Sequence, residues 1–97
     1  MVNLEAIEKI SKKYSDSTTD FIRLGSTLAL KERKTNLQIE KLEILARYEV
    51  TTVAELKTKI EDSIVPEHPA WEDLIEIKNI EAEIKEIEND LRTLQKS

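Results

Sequence analysis

The sequence predicts an all-α protein, a helical hairpin or bundle that ends in a long coiled-coil-like helix. The 97 residues are rich in Ile, Leu, Glu and Lys, a composition typical of long helices. The single Gly argues against β-rich folds, which need many tight turns. Ile and Leu recur at helical spacing through the last third of the chain. Small proteins with such long helices often complete their core by oligomerising, so we expect a homodimer.

The last helix, predicted from Ala70 to about residue 94, gives the clearest pattern. Between residues 77 and 94 its Ile and Leu residues are spaced 3, 4, 3, 4 and 3 apart, as a and d positions of heptads are. We predict that this surface, widened at its start, is an interface formed by Trp71, Leu74, Ile77, Ile80, Ile84, Ile87, Leu91 and Leu94. Ordinary packing in the first turn of the helix is the alternative role for Trp71.

Cap residues place the two helices that come first. Asn3 is expected to cap a helix that ends near Tyr14, and Ser17 to cap the next one. Gly25 either ends that second helix, which is the favoured interpretation, or lies inside one bent helix. A long helix is then predicted to run to about residue 48. Its apolar face is expected to comprise Leu30, Leu37, Ile39, Leu42, Ile44, Leu45 and Tyr48.

A short helix and a connector lie between the two long helices. The spacing of Thr52 and Glu55 predicts a capping box, from which a short helix runs to Asp62. Residues 65–69 form a rigid connector, because each of its two prolines disfavours helix in the residue before it. His68 is expected to cap the last helix, with a proline at the first helical position.

The charge of the chain is placed unevenly. Acidic and basic side chains are equal in number in residues 1–65, so the whole net charge of −5 lies in residues 66–97. Such a segment repels nucleic-acid phosphates and attracts a basic partner. Acidic residues flank the Ile/Leu surface of the last helix, whereas the helix 27–48 is rich in Lys and Arg. An antiparallel hairpin of the two would pair basic with acidic side chains. Alternatively, part of the acidic surface stays free for another protein.

Two stretches of the chain look alike. Tyr14 and Tyr48 each end a helical segment and precede a pair of threonines, and a long helix follows in both cases. The single domain 1–97 therefore divides into two degenerate repeats of about 4–48 and 49–95. Chance similarity between Lys-, Glu- and Ile-rich helices is the alternative explanation.

The residue inventory argues against an enzyme. The chain has no Cys and one His, so thiolate chemistry, multi-His metal sites and an independently supported catalytic triad are excluded. His68 is expected to be a connector or cap residue, and we predict no catalytic, cofactor-binding or metal-binding residues. The longest apolar runs are far shorter than a membrane span, and no secretory signal is visible. We therefore expect a cytoplasmic protein without a membrane partner.

Three short motifs carry a resemblance. Lys12-Lys13-Tyr14, a Ser/Thr-led segment with Phe21-Ile22, and the helix start Pro-x-x-Pro-Ala-Trp-Glu-Asp-Leu at 66–74 are similar to motifs in small helical proteins of archaea and bacteria. Some of those proteins are encoded beside toxins and are regarded as antitoxin-like partners. The resemblance implies a helical protein that binds another protein.

The sequence thus predicts a non-enzymatic protein–protein interaction module, in its most specific form an antitoxin-like partner of a basic protein. The alternative is a small DNA-binding or regulatory protein that uses the helix 15–35. Nucleic acid is the less favoured partner, because the basic residues 31–34 include a Glu and form only a short cluster.

Overall fold

Four helices account for nearly all of the chain. The computed structural model describes residues 3–97, in which α1 is Leu4–Tyr14, α2 Thr18–Arg47, α3 Val53–Glu61 and α4 Glu67–Lys96. Those residues form no strand, which confirms the all-α prediction. The molecule is elongated, with principal extents of 60 × 26 × 18 Å, because the two long helices lie side by side.

The predicted caps are confirmed for the first three helices. The side chains of Asn3, Ser17 and Thr52 each accept a hydrogen bond from the backbone N–H three residues further on, at 2.8, 3.0 and 3.1 Å. Each bond satisfies one of the N–H groups that the first turn of a helix leaves without a partner. These short polar side chains therefore set where α1, α2 and α3 begin.

The favoured break at Gly25 is wrong, because α2 continues through this residue from Thr18 to Arg47. A glycine inside a helix costs only about 1 kcal/mol relative to alanine. Burial of Leu37, Ile44 and Leu45 further along α2 outweighs that cost. The alternative, one helix that passes through Gly25, is what the structure shows.

The start of α4 follows the predicted pattern in part. His68 has extended backbone angles (φ −106°, ψ 126°), so regular helix begins at Pro69, as expected. Glu67, the residue before His68, is the first residue of α4, but the extended backbone of His68 separates it from the regular turns that follow. His68 Nδ1 and Glu72 Oε1 lie 2.8 Å apart, and this hydrogen bond lowers the pKa of the Glu72 carboxyl.

The core lies between α2 and α4, which run antiparallel, and α3 closes one end of it. Buried residues come from all three helices and the α2–α3 loop: Leu37, Ile44, Leu45, Val50, Leu56, Ile60, Ala70, Leu74, Ile77, Ile80 and Ile87. Four residues of the predicted apolar face of α2 are not among them: Leu30 and Tyr48 are partly buried against this core, whereas Ile39 and Leu42 lie outside it. Ile39 and Leu42 are 48% and 59% exposed, because they lie on the side of α2 away from α4.

Tyr48 joins the three helices that build the core. Its hydroxyl donates a hydrogen bond to Asp73 of α4, and its backbone carbonyl accepts one from Lys59 of α3 at 2.9 Å. Burial, followed by the hydrogen bond to Asp73, raises the pKa of Tyr48 to about 12. Arg47 adds a weaker ion pair to the same carboxylate, at 3.7 Å.

The two predicted repeats each contain one short and one long helix, α1 with α2 and α3 with α4. The long helices both have 30 residues. The short helices are used differently: α3 buries Leu56 and Ile60 in the core, whereas α1 leaves Leu4, Ile10 and Tyr14 exposed. A true duplication stays a prediction.

We predict that Gly25→Ala stabilises the protein by about 0.5–1 kcal/mol, because alanine favours helix and an added Cβ meets no atom within 4 Å. Gly25→Pro should instead cost about 3 kcal/mol or more, since proline cannot continue a helix from its middle. Urea unfolding followed by circular dichroism measures both. If proline were tolerated, α2 would have to be interrupted here.

We predict that Tyr48→Phe lowers the free energy of unfolding at pH 7 by about 1–3 kcal/mol, the usual cost of leaving a hydrogen-bonded carboxylate without its donor. Water can hardly replace that donor, because only 14% of the Asp73 side chain is exposed. Chemical denaturation of the two proteins measures the difference.

The pH dependence of the same variant has a defined sign. The phenol titrates near pH 10 in the unfolded chain but near 12 in the folded one. Its stabilising contribution is therefore complete below about pH 10 and is lost as the pH rises towards 12. The stability difference between wild type and Tyr48→Phe should shrink over this window. A difference that grew with pH would contradict the hydrogen bond.

Candidate interaction surfaces

The predicted interface of α4 faces α2 and α3 of the same chain. Leu74, Ile77, Ile80 and Ile87 are buried in the core. Ile84 and Leu91 are half-buried against it, and Leu94 is half-buried beside the first half of α2. Trp71 is 39% exposed and is the one residue of the eight that reaches well into solvent. Contact of these side chains with a second chain stays a prediction.

Ion pairs link the two long helices along their length. They are Arg33 Nε–Glu83 Oε2 at 2.8 Å, Lys41 Nζ–Glu81 Oε2 at 3.0 Å and Lys34 Nζ–Glu88 Oε2 at 3.3 Å. Hydrogen bonding to Glu83 raises the pKa of Arg33. All three pairs are partly solvated, so they contribute little to the free energy of unfolding and serve mainly to fix the register of the hairpin. The basic helix 27–48 therefore does pair with the acidic one.

Two lysines lie on the inward face of α2, which the sequence interpretation missed. Residues 30, 34, 37, 41, 44 and 48 are spaced 4, 3, 4, 3 and 4 apart, and none of them is fully exposed. Lys34 and Lys41 belong to this series, and their ammonium groups reach carboxylates of α4. Their stems can cover apolar surface while the charges stay at its edge. The 4, 3, 4, 3 and 4 spacing of this series was the sequence signal that could have predicted the inward position of both lysines.

An acidic edge runs along the solvent side of α4. We define it by Glu76, Glu86 and Asp90, which are exposed and form no ion pair with any residue from 3 to 97. At about 100° of rotation per residue, the three lie within an arc of about 80°. Lys78, Lys85 and Lys96 project on the other side of the helix. Between the two rows of charges lie Ile75, 57% exposed, and Trp71.

A second apolar surface, the outer stripe, lies on α2. It consists of Leu24, Leu28, Ile39 and Leu42, whose side chains are about half exposed. These positions are rotated by about 120–180° from the middle of the inward face of α2. The outer stripe is therefore opposite the hairpin core and separate from the acidic edge.

A shallow groove of about 450 Å³ lies between the first half of α2 and the end of α4. Ser26, Ala29 and Leu30 line one wall, and Thr93 and Leu94 contribute to the other. Arg23 spans the two helices at this end of the molecule, since it donates a hydrogen bond to the carbonyl of Ser97 at 2.8 Å. The groove thus lies where the hairpin opens.

Among residues 3–97, no three His, Asp or Glu side chains are placed to hold one metal ion. No helix in that range is both long enough and apolar enough to cross a membrane.

Comparison with known proteins gives one match. Residues 27–97, which contain most of α2 and all of α3 and α4, match the family described as uncharacterized protein MJ0235 family. The search of curated proteins and the search of solved structures found no match. The matched range contains the whole buried core of the hairpin. Because this range covers well over half of its length, the chain belongs to the uncharacterized protein MJ0235 family.

Proposed function

We propose that this chain is a non-enzymatic interaction module that binds a basic protein along the solvent side of α4. The observation that carries the proposal is the acidic edge, which forms no ion pair within residues 3–97 although α2 supplies bases to other carboxylates of the same helix. Charge arranged in this way accelerates encounter with a partner of opposite sign. An antitoxin-like role, implied by the resemblance of the sequence motifs, is the most specific form of the proposal.

Trp71 and Ile75 supply the apolar part of the same surface. Both are substantially exposed and lie beside the acidic edge, near the start of α4. Aromatic residues often anchor protein interfaces, whereas charges at the rim mainly steer the approach and select the partner. A basic protein with an apolar pocket or helix face would satisfy both parts of the surface.

DNA binding is disfavoured because basic residues of α2 already form ion pairs with carboxylates of α4. Arg33 and Lys34 are held by Glu83 and Glu88, so contact with phosphates would require both pairs to break. The carboxylates they would leave behind repel phosphate. A basic protein partner needs no such rearrangement.

We predict that reversing the acidic edge with Glu76→Lys, Glu86→Lys and Asp90→Lys weakens binding of the native partner at least about tenfold, or about 1.4 kcal/mol. The partner is first captured from the native cell with the wild-type chain. Titration then follows the fluorescence of Trp71, the only tryptophan of the chain, which lies beside the proposed surface.

The matched control reverses three charges on the other side of α4, with Lys78→Glu, Lys85→Glu and Lys96→Glu. This variant should keep the affinity or raise it slightly. Both triple variants should keep wild-type helicity, because the six side chains are exposed and form no ion pair within residues 3–97. Binding to duplex DNA that is lost in the control variant and kept in the acidic-edge variant would refute the proposal.

A further inference from the structure

The outer stripe of α2 consists of two aliphatic pairs, Leu24 with Leu28 and Ile39 with Leu42, and the exposed residues Lys31, Glu32 and Thr35 lie between them. The four aliphatic side chains are about half exposed, so no residue from 3 to 97 covers them. These four residues extend over about 27 Å of helix between Leu24 and Leu42. We propose that a second copy of this chain packs on the outer stripe, with the two α2 helices antiparallel. This interface is distinct from both the hairpin core and the acidic edge.

The surface area of the chain supports a second copy as the occupant. The accessible surface is 7242 Å², whereas a compact monomer of 11.2 kDa exposes about 5,700 Å². A standard interface buries about 800 Å² per partner, and permanent dimers bury more. The excess of about 1,500 Å², summed over the whole elongated chain, is more than one partner buries in a standard interface.

The distribution of charge makes α2 the suitable face for self-association. The acidic edge of α4 would repel its own copy, but α4 lies on the far side of α2 from the outer stripe. In the proposed dimer the four long helices stack in the order α4, α2, α2 and α4. With neighbouring helices about 8–10 Å apart, the two acidic edges are separated by well over the Debye length of about 8 Å.

The antiparallel direction follows from the residues beside the stripe. A parallel, in-register pair would place each charged residue of α2 beside the same residue of the second copy. An antiparallel pair whose two-fold symmetry axis passes near residues 33 and 34 sets Leu28 opposite Ile39 of the second copy. Residues 24–30 carry no charged side chain, so they face the charge-bearing segment 37–43 without repulsion. Residues 31–36 face the same segment of the second copy, so the antiparallel pair has fewer contacts between like charges than the parallel pair but does not avoid all of them.

Light scattering after size-exclusion chromatography tests the proposal. At about 100 μM, wild type should have twice the 11.2 kDa mass of the chain, and Leu28→Lys should have the monomer mass. Ile75→Lys on α4 is the matched control, since Leu28 and Ile75 are both 57% exposed. The control should remain dimeric. Circular dichroism should show unchanged helicity in both variants, because neither side chain is buried.

Cysteine pairing tests the direction, since the chain has no Cys of its own. Oxidation of a mixture of Leu28→Cys and Ile39→Cys chains should give the mixed disulfide, and either variant alone should give little product. A dimer that Ile75→Lys dissociates and Leu28→Lys does not would overturn the proposal, as would a monomeric wild type. A disulfide between two Leu28→Cys chains would overturn the antiparallel arrangement. The triple variant of the acidic edge should stay dimeric. Failure of the dimer proposal can therefore be distinguished from failure of the proposal that a basic protein binds the acidic edge.

Discussion

Packing of α2 against α4 is the interaction on which the rest of the structure depends. Leu37 and Ile44 of α2 and Ile77 of α4 are almost fully excluded from solvent. The short helix α3 adds Leu56 and Ile60 to this core at the end where the long helices are joined. Among the described residues, α1 contributes no aliphatic side chain to this buried layer. The hairpin is thus the structural unit, and it is also the part of the chain that the family match covers.

The hairpin divides the carboxylates of α4 into two groups. Those beside the core, such as Glu81 and Glu88, are met by the lysines of α2 and help to fix the register. Glu76, Glu86 and Asp90 form no ion pair with any residue from 3 to 97, although Arg33 of α2 reaches Glu83 on the same side of α4. The net charge of −5 is therefore concentrated in space as well as in sequence. Helix packing, more than composition, decides which of these charges are available to another molecule.

The sequence was most informative where a local interaction decides the structure. Caps at Asn3, Ser17 and Thr52 depend on residues three positions apart, so they could be predicted without knowledge of the fold. The break at Gly25 was predicted wrongly, because the cost of glycine in a helix is small compared with the burial gained along α2. The regularity of the last helix predicted a packing surface, but spacing alone cannot say whether its partner is in the same chain.

The faces of α2 show why the candidate sites were harder to predict. This helix has two apolar rows, one through Leu30 and Leu37 and another through Leu28 and Ile39. The sequence interpretation placed Ile39 and Leu42 on the inward face, where Lys34 and Lys41 are found instead. An aliphatic side chain is informative about burial only once the partner of its face is known. A lysine is equally ambiguous, since its stem packs while its charge reaches the edge.

The difference between the outer faces of the two long helices gives each a different role. The solvent side of α4 is mainly polar and charged, as expected for a helix at the outside of an assembly. The opposite side of α2 carries two exposed aliphatic pairs, Leu24 with Leu28 and Ile39 with Leu42, separated by polar and charged residues. Because a two-helix layer can cover only one face of each helix, α2 retains a surface that the hairpin alone cannot bury. The two helices have the same length, so it is this difference in surface chemistry that, in the proposed dimer, would place α2 on the inside and α4 on the outside.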